Sequence, residues 1–180
     1  MSDKNDHVII AYFHSAERAD SAAHRLKDWD KANDAVKLGG IQILTWDGDK
    51  IKTYKIGGRA TGAGAKWGTA LGVVAGILSG GVTLIGGAVA GAAGGAVLGT
   101  FFHKSLGLSD EDNARLEEHV KAGGAALVVM ADEDEVAATS AQLVSQDGTV
   151  ENYQVPEETM EKVEAAEEVQ PARDSEEEST

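Results

Sequence analysis

From Trp67 to Phe102 the chain runs thirty-six residues without a charged side chain, and glycine recurs at every fourth position through most of that stretch. One register is Gly64, Gly68, Gly72, Gly76 and Gly80; the second is Gly87, Gly91, Gly95 and Gly99. Residues four apart share a face of an α-helix, so each register predicts a smooth groove on a helix whose other faces carry Ala, Val, Leu and Ile. In water each such glycine costs about 1 kcal/mol relative to alanine. Close packing of helix backbones, in lipid or between copies, accounts for that cost, because only a small side chain allows the approach. The segment therefore reads as a glycine-zipper helical hairpin, with helices over 62–79 and 86–103 and a turn over 80–85. At 1.5 Å per residue each helix is about 27 Å long, close to a hydrocarbon core of about 30 Å. Arg59, Lys66 and Lys104 flank the hairpin while its turn is uncharged, a bias that puts both ends on the cytoplasmic side.

The rest of the 180 residues divides around this segment. Residues 1–57 and 107–155 read as two halves of one α/β domain, 58–106 as the inserted hairpin, and 156–180 as an acidic tail that lacks the apolar residues to offset chain entropy. There is no cysteine, which excludes disulfides and thiolate metal sites. Met1 to Asp6 is polar and leads straight into a strand-like run, so no secretory signal is expected and the default address is cytoplasmic. The formal charge of -14 is unevenly spread, with ten basic and nine acidic side chains in 1–60 but two against eleven in 105–155. Such acidity argues against a nucleic-acid partner, since phosphate binding needs a basic footprint.

Local patterns predict the order β-α-β-β, insertion, α-β-α-β. His7 to Phe13 is a β-branched and aromatic run. Ser15 is an N-cap for a helix with Ala19, Ala22, Ala23, Leu26 and Trp29 at helical spacing. Ile41 to Trp46 and Lys50 to Ile56 read as a hairpin joined by a two-residue Asp47-Gly48 turn. Ser109-x-x-Asp112 and Asp132-x-x-Glu135 open two helices, Ala125 to Met130 lies between them as a buried strand, and Thr149 to Val155 alternates as the last strand after Asp147-Gly148. The strand VIIAY with its helix echoes the strand LVVMA with its helix, which points to a ferredoxin-like βαβ-repeat sandwich with the hairpin inserted.

The strand followed by SAERAD, the glycine block from Gly57 to Gly99, the boundary FHKSLGLSDED and the run KAGGAALVVMADEDE resemble a bacterial family of unknown function whose members are labelled predicted membrane proteins. More distantly they resemble the YflT-type general stress proteins, which share a glycine-rich centre before an acidic helix. The resemblance covers roughly 7–155 and implies membrane association and a stress-linked role. It supplies no catalytic residue.

No chemical motif competes with that reading. Gly62-x-Gly64-x-x-Trp67 puts an indole where a dinucleotide fingerprint needs a small residue, and Lys66 lacks the Gly before it and the Ser/Thr after it of a P-loop. His7, His14, His24, His103 and His119 form no metal-ligand spacing, and the acidic clusters at Asp110 to Asp112 and Asp132 to Glu135 lack an EF-hand pattern and read as helix caps. Lys50, Lys52, Lys55, Arg59 and Lys66 form a modest basic cluster able to meet anionic headgroups, or else a solvated strand face or a partner for the acidic tail. The expectation is a non-enzymatic homo-oligomer without cofactor or metal, in contact with membrane lipid at the cytoplasmic face of the inner membrane. The alternative is a soluble cytoplasmic assembly (a ring, filament or shell) in which the hairpins are buried between subunits.

Overall fold

β1 (His7–Phe13) carries no charge after His7, and six of its seven residues are buried, as suits a strand covered on both faces. The structure, a computed structural model, describes residues 6–33, 36–49, 51–57 and 106–158. The glycine registers and the acidic tail beyond Glu158 lie outside the described residues.

α1 (Ala16–Ala32) starts at Ser15, whose hydroxyl accepts from the Arg18 N–H at 3.4 Å, and it buries Ala19, Ala22, Ala23 and Leu26 along one stripe. β2 (Gly40–Trp46) and β3 (Ile51–Gly57) pair with Trp46 opposite Ile51, so four residues connect them where a two-residue turn was expected. The register is set by burial: that pairing puts Ile51 and Trp46 on the same core, and a one-residue slip would turn Ile51 outward.

α2 (Asp110–Lys121) opens with the capping box of Ser109 and Asp112. It closes with Gly123 at φ +92, where the Gly123 and Gly124 N–H groups bond back to Val120 and His119 carbonyls, a Schellman motif. β4 (Ala125–Ala131) is buried at every position. α3 (Glu133–Val144) ends in the same motif, with Asp147 at φ 65 in the left-handed position. Gly148 is small for another reason, since a Cβ there would lie 3.0 Å from both the Phe13 ring and the Leu143 carbonyl oxygen. β5 (Thr149–Gln154) follows.

The five strands form one sheet in the order β3-β2-β4-β1-β5, with every neighbouring pair antiparallel. β1 and β2 are therefore parallel to each other with β4 between them, and β4 and β5 are parallel with β1 between them. Each half of the chain inserts a strand into the other half's crossover. α1 and α3 cover one face over Ile9, Ala11, Phe13, Ile41, Leu127 and Val129. α2 covers the other through Leu116 and Val120 over Val8, Ile10, Leu44, Ala126, Val128 and Met130, with Leu106, Leu108 and Val155 filling what one helix leaves open.

Candidate functional site

The glycine segment is attached at one end of this sheet. Gly57 pairs with Ile41, at the end where Gly40 meets Met130 and His7 meets both Ala131 and Gln154. The chain returns at the same end but at the opposite edge. The Val155 N–H bonds to the Asp6 carbonyl at 2.8 Å, so by antiparallel alternation Gln154 points its own N–H and C=O away from β1. Gly107 lies against that outward carbonyl: a Cβ there would come within 2.4 Å of it, and its φ is +79. Leu106 and Leu108 on either side are 3% and 2% exposed, so the three residues form a strap over the edge of β5. The segment thus leaves from β3 and returns beside β5, strands separated by four spacings, about 19 Å.

Carboxylates outnumber cations around this end, where Lys27 donates to the Ile56 carbonyl at 3.1 Å beside the exit and Lys37 lies shortly before Gly40. Asp6, Asp132 to Glu135 and Glu157 to Glu158 adjoin the strand ends there, and Asp110 to Glu111 open the helix after the strap. Glu135 is turned inward: its carboxylate accepts the N–H groups of Asp132 and Lys37, and burial pushes its pKa up. Of the expected basic cluster, Lys52 is the one residue whose side chain is described. Lys52 is exposed, ion-paired with Asp47 at 2.7 Å, and sits near the β2–β3 connection, five residues or roughly 17 Å along the strand from Gly57. Lys55 pairs with Gln42 in the β2–β3 ladder. Lys50, Arg59 and Lys66, like Gly64, Gly68, Gly72, Gly76, Gly80, Gly87, Gly91, Gly95 and Gly99, lie outside the described residues.

A polar clamp that no sequence motif announced holds α2 to the sheet. The Ser109 hydroxyl holds Asp112, whose carboxylate takes the Arg115 guanidinium at 2.6 Å. The same guanidinium reaches Glu151 on β5 at 2.8 Å. The other oxygen of Glu151 accepts from the Tyr12 hydroxyl at 2.9 Å and from the Tyr153 hydroxyl at 2.8 Å. Burial alone would raise the Glu151 pKa, but the hydrogen bonds of Tyr153, Arg115 and Tyr12 together outweigh it and hold the carboxyl below its ordinary range. Burial, and then that carboxylate, drive both phenol pKa values up. The phenols stay protonated and the carboxylate stays ionised with three donors around it, so the cluster fastens rather than exchanges protons. His119 extends it, with its ring edge-on to Tyr12 at 5.2 Å and Nε2 donating to the Phe13 carbonyl at 2.8 Å. Gly124 leaves room for that ring, since a Cβ would lie 2.4 Å from Nε2.

The clamp joins positions 139 residues apart in sequence, beyond the reach of spacing arguments. Its available signal was the alternation that puts Glu151 and Tyr153 on one face of the last strand. Among the described residues no group of His, Asp and Glu could hold a metal ion, and two open, shallow grooves lie on the surface, one between α1 and the end of α3 and one along the outside of α2. No helix among the described residues is long and apolar enough to cross a membrane.

The model of a family described as a protein of unknown function, DUF1269, matches residues 62–167. No curated protein and no solved structure matches the chain.

Proposed function

The chain belongs to the DUF1269 family, and from that premise we propose that it is a non-enzymatic homo-oligomer that assembles through a glycine-zipper hairpin in contact with membrane lipid. The observation that carries this reading is the uncharged run from Trp67 to Phe102 with its fourth-residue glycines, which falls within the family match. Glycines at that spacing serve close helix packing, and uncharged runs of this length are uncommon in soluble domains. The two interleaved β-α-β crossovers support a ferredoxin-like host for the hairpin. By the resemblance of the glycine block and the FHKSLGLSDED boundary to YflT-type general stress proteins, the setting is a stress response at the cytoplasmic face of the inner membrane.

The acidic end of the domain favours a second reading. Carboxylates at the sheet end that carries the segment would be repelled by an anionic bilayer, whereas a soluble ring, filament or shell would bury the hairpins between subunits and leave the exposed ones in water. Sedimentation after a carbonate wash separates the two: the membrane reading expects the protein in the lipid pellet, and the soluble reading expects large particles in the supernatant. Gly72→Leu and Gly91→Leu are each expected to break the assembly while the α/β domain stays folded. Unchanged particle size in both variants would remove the zipper from either reading.

A further inference from the structure

The two edges of the sheet are built differently. On the β3 side the ladder shifts register between Ile41 and Gln42, and the strand carries Lys52 and Lys55. Irregular pairing and edge lysines are the usual devices that keep a strand from recruiting another. β5 has neither. Its sequence TVENYQ contains no proline and no lysine, and its one charge, Glu151, is already compensated by Arg115. Because Gln154 faces away from β1, so do Asn152 and Val150. The strap closes off Gln154, which leaves the N–H and C=O groups of Val150 and Asn152 open, and among the described residues no strand lies beyond them.

The helix beside that edge differs from the other two in the same sense. Ser140 on α3 hydrogen-bonds Asn152 at 3.1 Å, which fixes the flank of α3 that overhangs β5. That flank carries Val136, Ser140 and Val144, and the helix has no charged residue from Val136 to Val144. Val144 is 57% exposed, the more exposed of the two large apolar side chains in water among the described residues. The outer faces of α1 and α2 are lined with Asp, Glu, Lys and Arg.

We propose that the outer edge of β5, with the α3 flank above it, is a two-fold interface between two copies of this chain. An antiparallel strand edge is self-complementary. With Glu151 on the axis, Val150 of one copy faces Asn152 of the other, and the two pairs form four N–H to C=O hydrogen bonds to make one ten-stranded sheet. The strap sets this register by excluding Gln154 from pairing. The occupant is a second copy because the open window at Val150 and Asn152 is symmetric about Glu151 and so matches itself in antiparallel pairing, and it lies where the acidic chain offers an uncharged helix flank rather than carboxylates. The interface uses only the α/β domain and stands apart from the glycine-hairpin reading.

The chain has no cysteine, so single cysteines report contacts without background. In the full chain carrying Gly72→Leu, Glu151→Cys is expected to form a covalent dimer under mild oxidation about tenfold or more faster than Tyr54→Cys at the other edge, through effective concentration at the axis. Asn152→Pro removes an N–H that β1 does not use, and Val144→Lys puts a charge on the flank. Light scattering should show each of these variants as monomer where the parent is dimer, with circular dichroism and melting retained. Equal crosslinking at positions 151 and 54, or folded Asn152→Pro and Val144→Lys proteins that both remain dimeric, would overturn the interface. Because crosslinking is read by position, it discriminates whether or not Gly72→Leu dissolves the larger assembly.

Discussion

The two faces of the sheet are held by different physics. On the face of α1 and α3, alanines at 19, 22 and 23 bring α1 close to the strands, and Leu26, Val36, Leu38 and Leu143 complete an apolar layer. Its two buried carboxylates, Asp30 and Glu135, accept backbone N–H groups of Leu38 and Lys37 and so tie down the connection between α1 and β2. On the opposite face a single helix cannot cover five strands. A strap, two aromatic rings and the clamp around Glu151 make up the difference. The comparison teaches that a face with two helices can rely on buried area, whereas a face with one needs directional bonds to keep that helix in register.

The largest expected effect tests the apolar side. Leu26→Ala removes a fully buried side chain from a layer already lined with alanines that cannot collapse into the gap, and should cost roughly 3 kcal/mol in urea unfolding. Next comes the strap. Gly107→Ala meets both a left-handed backbone and the Gln154 carbonyl, and a loss of roughly 2 kcal/mol is expected, with hydrogen-exchange protection falling first in α2 and β5. If that loss spreads evenly over both faces, the strap is not specific to the α2 side.

The clamp should respond less in size and more in pH dependence. Glu151→Gln is expected to cost about 1 to 2 kcal/mol at pH 7. In the native protein Glu151 and Asp112 titrate below their ordinary values of 4.5 and 3.8, so their stabilisation is present above those values and is lost as pH falls through the lowered ones. Glu135 has the opposite sign. Its raised value means that the folded state resists ionisation, so its contribution to stability declines as pH rises above 4.5. Relative to the parent, Glu151→Gln should therefore look worse as pH rises towards 4.5, and Glu135→Gln better as pH rises above it. Parallel slopes in the two unfolding series would refute this assignment of the faces.

The smallest effect is a gain. Asp147 occupies a left-handed position without being glycine, and its ion pair with Arg18 is 3.3 Å long and well exposed. Asp147→Gly should stabilise by about 0.5 kcal/mol, the relief of backbone strain exceeding the loss of a surface pair.

Local order was legible in the sequence because local causes set it. Ser15, the Ser109 and Asp112 box, Gly123-Gly124 and the run AALVVM each mark an element by chemistry within a few residues. What is not local was not legible. Nothing in His7 to Phe13 says that this strand lies between β4 and β5, since its partners are more than a hundred residues away. The β2–β3 connection was misjudged by two residues because the burial of Ile51 outranked the turn preference of Asp47-Gly48. Asp147-Gly148 turns the chain as the sequence suggests, with Asp147 in the left-handed place and Gly148 leaving room for the Phe13 ring. The clamp escaped because Tyr12, Arg115 and Glu151 are unremarkable in their own segments and become a unit only when three elements meet.

The attachment of the glycine segment at opposite edges of one sheet end bears on mechanical load. Any tension carried by residues 58–105 enters the domain at Gly57 and at the strap. At Gly57 it pulls on the last residue of an edge strand that is paired on one side only, with β2. At the strap the same tension is spread over Leu106 and Leu108 in the core, the Gly107 contact with β5, and then the Arg115 to Glu151 bond. Under load the domain thus has a weak leg and a strong one, and β3 would detach first while the interleaved strands β2, β4, β1 and β5 stay together.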